Sequence, residues 1–400
     1  LSIALPAVVV VAILGGGFLA LAGHVLSSSE FTEFLAVWGL VSLVGTVLAS
    51  LEWEVSRATA TRIENAEPHG SPMRRAPSAF LPVTIWAAAI ATLAMLILCI
   101  WAVPTILRGS WLAAFFLLLG VAGIPFQAST RGILAGQRRV RQFSAVLVGE
   151  VLIRLVLAPV LLIIDADIVG WIAVLAAGSW AWLLVAPRLL FTGSSIGGGV
   201  TARQVASKFG TLIIGAISYA AMLMAYPTIL AAVDANEHPT YVAALGSALV
   251  LSRLPALLVL PLLPLLISYL VRREGSASIR WPIILLVMSG LTSLILIGSA
   301  LGPAAIRIAF GDRYELTGWT FGALLASCLL LVLTSVLSSD VVARGHHVLS
   351  SGAWLIGAAA TGTLLIFMSV DVGVLYPIAI LFGSALALAL MALSAWTASA

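Results

Sequence analysis

The residues of this 400-residue chain that could do chemistry are a few charges set in or beside long apolar stretches. Arg253 stands inside the run from Leu245 to Tyr269, and Glu150 and Arg154 inside the run from Ser144 to Ile164. Glu52, Glu54 and Arg57 follow directly on the run from Phe31 to Leu51. A guanidinium at bilayer depth costs about 2.5–3.5 kcal/mol on insertion scales, so Arg253 must face protein, water or an anionic ligand. The plain alternative is that Arg253 only meets a carboxylate or carbonyl of a neighbouring helix. Glu150 and Arg154 are four residues apart with the acid first, the better orientation for a helical ion pair. A structural pair is the plain reading there. The functional one is a gated pair that opens when a proton or an anion binds. Arg57 lies within one or two turns of Glu52 and Glu54, so a local ion pair is its plain reading too.

The elements that carry these residues follow from composition. The chain is 62% hydrophobic and 9% charged, with a mean hydropathy of +1.15. Soluble proteins carry roughly 25% charged residues, so the fold class is an all-α polytopic membrane protein. Twelve apolar runs are long enough to span: Ile3–Gly23, Phe31–Leu51, Phe80–Val103, Trp111–Ser129, Ser144–Ile164, Ile168–Ala186, Phe209–Val233, Thr240–Val271, Trp281–Leu301, Trp319–Ser338, Leu349–Ser369 and Val374–Trp396. Ala20–x–Ala22 matches a signal-peptidase site, but no basic segment precedes it, and the first run is read as a retained span. Pro255, Pro261 and Pro264 each remove a backbone donor, which predicts a kink or break in the eighth span just beyond Arg253.

Charge sets the expected orientation. Fifteen basic residues, among them Arg57, Arg131, Arg188, Lys208 and Arg344, fall in alternate connections, and three, Arg108, Arg307 and Arg313, in the others. The positive-inside rule then puts both termini in the cytoplasm. The acidic loop Asp165–Asp167 fits an outer position. The glycine- and serine-rich stretch from Thr192 to Val200 is flexible by composition. It divides the chain into a six-helix bundle over 1–187, a cytoplasmic linker over 188–208 and a second six-helix bundle over 209–400. The halves are alike at a shift of about 209 residues, with Ala135–Arg139 falling on Arg344–Val348. Six spans per half give both halves the same sense, hence two pseudo-symmetric bundles around a central cavity. That arrangement favours an alternating-access transporter over a channel.

Cys99 and Cys328 lie in apolar spans outside any CxxC pattern and read as packing residues. His24, His69, His238, His346 and His347 fall in loops or at span ends. The adjacent pair His346–His347 lacks a metal spacing on a helix and is expected in a solvated loop. Neither a cofactor nor a metal motif stands out, and the scattered charges give no reason to expect nucleic acid as a partner.

Five motifs carry a resemblance: LEWEVSR (51–57), RGILAGQRR (131–139), LSRLP (251–255), AFGDRY (309–314) and VVARGHH (341–347). Their order and the span count resemble bacterial polysaccharide-export proteins of the multidrug/oligosaccharidyl-lipid/polysaccharide flippase superfamily. The chain looks more like O-antigen or capsule-repeat flippases than the peptidoglycan-precursor flippase, which typically has more spans. It also differs from the multidrug–cation antiporters, where embedded acids dominate, because its mid-membrane charges lean basic. The resemblance implies a protein of the bacterial cytoplasmic membrane that turns a polyprenyl-diphosphate-linked oligosaccharide from the inner to the outer leaflet. It implies membrane lipids, a glycan polymerase and glycosyltransferases as the surroundings. Arginine's planar fork suits a diphosphate. The expected substrate contacts are Arg253 first, Arg57 at the entrance and Arg154 once Glu150 releases it. Glu150, Glu52 and Glu54 are the expected gating or ion-coupling groups.

Two other readings stay open. One is a cation-coupled multidrug or metabolite antiporter of the same fold, with Glu150 or Glu52 titrating. The other is a non-transporting scaffold of a glycan-assembly complex. An enzyme is disfavoured, since no connection approaches a domain and no paired-carboxylate, nucleotide or metal motif is present.

Overall fold

A computed structural model describes residues 3–66, 80–187, 189–190, 201–224, 239–271, 281–312, 314–367 and 372–397. These residues are almost wholly helical. In chain order the first lobe holds α1 (Ala4–Val25), α2 (Ser28–Ala66), α3 (Phe80–Thr105), α4 (Trp111–Gly136), α5 (Val140–Ile163), α6 (Ile168–Gly178) and α7 (Trp182–Val185). The second holds α8 (Ala202–Met224), α9 (Pro239–Ser252), α10 (Leu254–Val259), a 3-10 turn (Leu260–Leu262), α11 (Leu263–Val271), α12 (Trp281–Phe310), α13 (Gly318–Ala343), α14 (His347–Phe367) and α15 (Val372–Thr397). Among the described residues eleven helices are long and apolar enough to cross a membrane. Their outward faces are apolar: α3 turns Ile85, Trp86, Ile90, Leu93, Ile97 and Ile100 outward. This is a multi-pass membrane protein.

The expected sixth span is not one helix. α6 has eleven residues, about 16 Å at 1.5 Å per residue, and the chain turns at Ser179–Ala181 before the four residues of α7. Asp167, which reads in sequence as part of an acidic loop, is the N-cap of α6. Its carboxylate accepts from the amides of Val169 (3.1 Å) and Gly170 (3.3 Å), supplying partners that the helix start otherwise lacks. The eighth span breaks as its prolines require. Arg253 is a turn between α9 and α10, and the 3-10 turn around Pro261 separates α10 from α11.

The second helix is longer than its hydropathy suggests. It runs for 39 residues, about 58 Å, so Glu52, Glu54 and Arg57 lie within it rather than where it leaves the bundle. Gly132 and Gly136 of α4 allow α2 to cross closely. A Cβ on Gly132 would stand 2.7 Å from the Glu52 carbonyl, and one on Gly136 would stand 2.5 Å from Thr59 Cβ. This small-x3-small spacing is the physical content of the RGILAGQRR motif. α2 also packs on α8, α9 and α11, and so forms the seam between the lobes.

The internal repeat is real in its turns, with a register of 207 rather than about 209. α4 and α13 begin at 111 and 318, end at 136 and 343, and are capped by Ser110 and Thr317. Both then turn through a left-handed residue, Arg138 and Gly345. The amides of Arg139 and His346 reach back to the carbonyls of Leu134 (2.9 Å) and Val341 (3.0 Å), the same helix-ending bond in each. Residues 202–208, expected in the linker, form the first turns of α8, whereas 188 and 191–200 lie outside the described residues. So do His69 and His238. Cys99 and Cys328 are buried as expected. His347 is not in a solvated loop: it opens α14 and is only 6% exposed.

Candidate functional site

A cavity of about 270 Å³ lies between the lobes. α2 lines it along one stripe, from Trp38 through Ser42, Gly45, Thr46 and Ala49 to Glu52 and Trp53, about 22 Å of helix. The lobes close against each other at both ends. At one, Phe31 of α2 packs on Phe310 and Tyr314, with ring centroids 5.8 and 5.9 Å away. At the other, Ser56 Oγ donates to the Pro264 carbonyl at 2.8 Å.

The two walls differ in chemistry. The first lobe contributes all the charged residues, Glu52, Arg131, Glu150 and Arg154, with Gln127 and Ser179, set among apolar residues such as Val11, Phe18, Leu19 and Leu147. The second contributes Met224, Val250, Leu251, Leu254, Leu257, Leu260 and Pro261, with Tyr219 beside them. The polar patch holds two hydrogen-bonded groups. Helical spacing puts Gln127 and Arg131 on one face of α4, and Glu150 and Arg154 on one face of α5. Arg131 Nη2 donates to Glu52 Oε2 of α2 at 2.6 Å. Gln127 Nε2 donates to Glu150 Oε2 at 2.5 Å, and Arg154 Nη2 donates to Glu150 Oε1 at 2.7 Å. The guanidinium of Arg154 rests on Gly178, where a Cβ would come within 2.5 Å of its Nε. The break after α6 therefore ends on the glycine that makes room for this arginine.

Charge in this patch is balanced, two acids against two arginines, with Arg253 buried apart from it in the second lobe. Each charged head has a partner, and three buried atoms of the patch remain without one: Gln127 Oε1, Arg131 Nε and Arg154 Nε. A buried ion pair is weak evidence for stability, since desolvation offsets most of its attraction.

The expected site residues divide. Glu52, Glu150 and Arg154 line the cavity. Arg57 and Glu54 do not. They form a two-pronged pair, Nε to Oε2 and Nη2 to Oε1, both at 2.7 Å, with Glu54 fully buried. Arg253 is the main correction. Its neighbours Leu251 and Leu254 face the cavity, while its own side chain is wholly buried in the second lobe. Its Nη2 donates to the Met222 carbonyl at 3.3 Å, and its charge acts on Cys328 and Tyr376. The carbonyl partner of the plain reading is what it meets. Arg131 was missed because the fourth span appears in sequence to end at Ser129, which put Arg131 in a loop, and Gln127, inside that span, carries no charge to single it out. The available signal was the four-residue spacing of Gln127 and Arg131, matching that of Glu150 and Arg154.

No family model matches the sequence. An uncharacterized protein of Mycobacterium tuberculosis is 26% identical over 374 residues, covering 90% of this chain and 84% of the relative. A second uncharacterized protein of that species is 27% identical over 298 residues, covering 73% and 68%. Among solved structures, the outward-facing conformation of a multidrug resistance MATE family transporter of the MOP superfamily superposes with a TM-score of 0.62 at 15% identity, over 98% of this chain and 95% of that one. An inward-facing conformation of such a transporter gives 0.57 at 13% identity, over 97% and 94%. At these identities the likeness concerns architecture alone. The chain therefore has the two-lobed helical fold of the MATE transporters of the MOP superfamily.

Proposed function

We propose that this protein is a flippase that carries a polyprenyl-diphosphate-linked oligosaccharide from the inner to the outer leaflet of the bacterial cytoplasmic membrane by alternating access. The observation that carries the reading is the asymmetry of the cavity, with a hydrogen-bonded charged patch on the first lobe and no charged residue among the second lobe's lining. Such a chamber suits an amphipathic passenger, with polar head against α2, α4 and α5 and hydrocarbon against α9 and α10. Arg154 is the first ligand contact. It sits at the cavity edge, its fork matches two phosphate oxygens, and its present partner Glu150 also has Gln127 to hold it. Release of Arg154 to the diphosphate leaves Glu150 held by Gln127. Arg131 and Glu52 form the second such pair. Arg57 acts at the entrance and Glu54 holds it in place. Arg253 serves the second lobe as a structural cation.

Replacing Arg154 with Gln in cells that depend on this chain should strand lipid-linked glycan in the inner leaflet while the protein reaches the membrane at its normal level. Undiminished export in that variant would retire the reading. A second reading, a cation-coupled antiporter of the same fold, is favoured by the presence of two carboxylates, Glu52 and Glu150, in the cavity wall. Efflux of hydrophobic cations lost in Glu150→Gln, with glycan export intact, would select it.

A further inference from the structure

The end of the bundle at which α2, α4 and α13 finish and α8 and α14 start holds a second cluster of cations. Arg57 of α2, Lys208 of α8 and His347 of α14 converge there. The charges of Arg57, Lys208 and His346 all act on the His347 ring. His347 is 6% exposed, yet both of its ring nitrogens lack a hydrogen-bond partner among the described residues. The carboxylates nearby are already engaged. Glu54 is bound twice by Arg57, and Asp340 is paired with Arg344 at 2.9 Å. α14 is 21 residues long and begins at His347, so its first amides and the positive end of its dipole add to the same field.

Just beyond this cluster is a small crevice. Trp53, Leu212, Ser350 and Ser351 line it, and each lies about one helical turn deeper than Arg57, Lys208 or His347 on its own helix. Ser338 and Ser350 share a hydrogen bond of 2.7 Å, and Ser351 Oγ donates to the Thr211 carbonyl at 2.8 Å, which ties α14 to α8 here. Thr46, Trp53 and Tyr219 line both the crevice and the central cavity.

We propose that Lys208, His347, Arg57 and the start of α14 form a docking site for a phosphate-type oxyanion, placed one step before the cavity. The site could take the phosphate of the transported lipid or that of an anionic membrane phospholipid, and the recognising chemistry is the same for both. Only the first source rests on the flippase reading. The desolvated imidazole supplies a donor to a phosphate oxygen, and Lys208 and Arg57 supply charge-assisted bonds.

The test uses the full-length protein in detergent, titrated with inorganic pyrophosphate by calorimetry, and the same protein in phosphatidylcholine nanodiscs with or without phosphatidylglycerol, followed by thermal unfolding. Lys208→Gln and His347→Gln are each expected to weaken pyrophosphate about tenfold, the loss of one charge-assisted bond. Arg307→Gln, exposed in the last turn of α12 and outside both the cavity and the crevice, should leave that affinity within about twofold. A phosphatidylglycerol-dependent rise in unfolding midpoint that disappears in His347→Gln assigns the phosphate to a phospholipid and supports the site. Pyrophosphate binding lost in Lys208→Gln and His347→Gln, without a lipid effect, assigns it to the cargo and supports it equally. Wild-type protein that responds to neither probe, or the two variants responding as wild type does, overturns the site. Pyrophosphate binding lost only in Arg154→Gln also overturns it, and leaves the cavity reading standing.

Discussion

Arg154 shares its carboxylate partner with Gln127 at the edge of a cavity. Arg253, one lobe away, is wholly buried and meets a backbone carbonyl. The first arginine can exchange one set of oxygens for another without leaving its place, because the cavity lies beside it and Glu150 keeps a donor when it lets go. The second is not among the residues that line the cavity. Its charge sits among Met222, Cys328 and Tyr376 at a point where prolines interrupt the helix. Depth and charge alone do not make a ligand site in this molecule. On the flippase proposal the site requires a charge that borders open volume and a partner that can release it.

The largest effect should come from leaving a buried acid of the cavity wall unpaired. Arg131→Ala strands Glu52 and should cost about 3–5 kcal/mol, seen as a lowered unfolding midpoint in detergent. Adding Glu52→Gln to that variant should recover most of the loss, and failure to recover would mean the pair contributes little.

Next comes the seam that presents the patch. Gly132→Val pushes a side chain into the Glu52 carbonyl and the Val55 side chain and should cost about 1–3 kcal/mol by overpacking, read from the same unfolding curves. Unchanged stability would show that α2 and α4 can part freely.

Gly178→Ala is a milder probe of similar kind, since its new methyl meets only the flexible head of Arg154. Stability should fall by about 1 kcal/mol, with glycan export reduced because Arg154 is displaced. Export at the wild-type rate would separate Arg154 geometry from transport.

The smallest change is expected on the other side of the comparison. Arg253→Met replaces a buried cation by an apolar chain of similar length, and such replacements are often neutral or stabilising. The unfolding midpoint should move by no more than the equivalent of about 1 kcal/mol. A much larger loss would show that Arg253 organises the second lobe by its charge.

Local patterns made part of this legible in sequence. The Glu150–Arg154 pair follows from four-residue spacing, the break at Arg253 from Pro255, and the 3-10 turn from Pro261. The span count is close because long apolar runs have few alternatives in a bilayer. What was not legible depends on neighbours distant in the chain. Glu52 finds Arg131 79 residues away, and nothing in either segment names the other. The length of α2 was hidden because hydropathy falls after Leu51 while the helix continues, buried against α4 and the second lobe. The break in the sixth span falls at Gly178–Ser179 inside a long apolar run, and the seat that Gly178 offers Arg154 is a contact across helices. Arg253 was misplaced for a related reason: a break predicts where a helix bends, not which way its side chain points.

The most direct measurement is the leaflet distribution of lipid-linked glycan in cells carrying Arg154→Gln beside cells carrying Arg253→Met, at matched protein levels. The account expects glycan to accumulate in the inner leaflet with the first variant and to cross normally with the second. Normal crossing with Arg154→Gln, or a block confined to Arg253→Met, would contradict it.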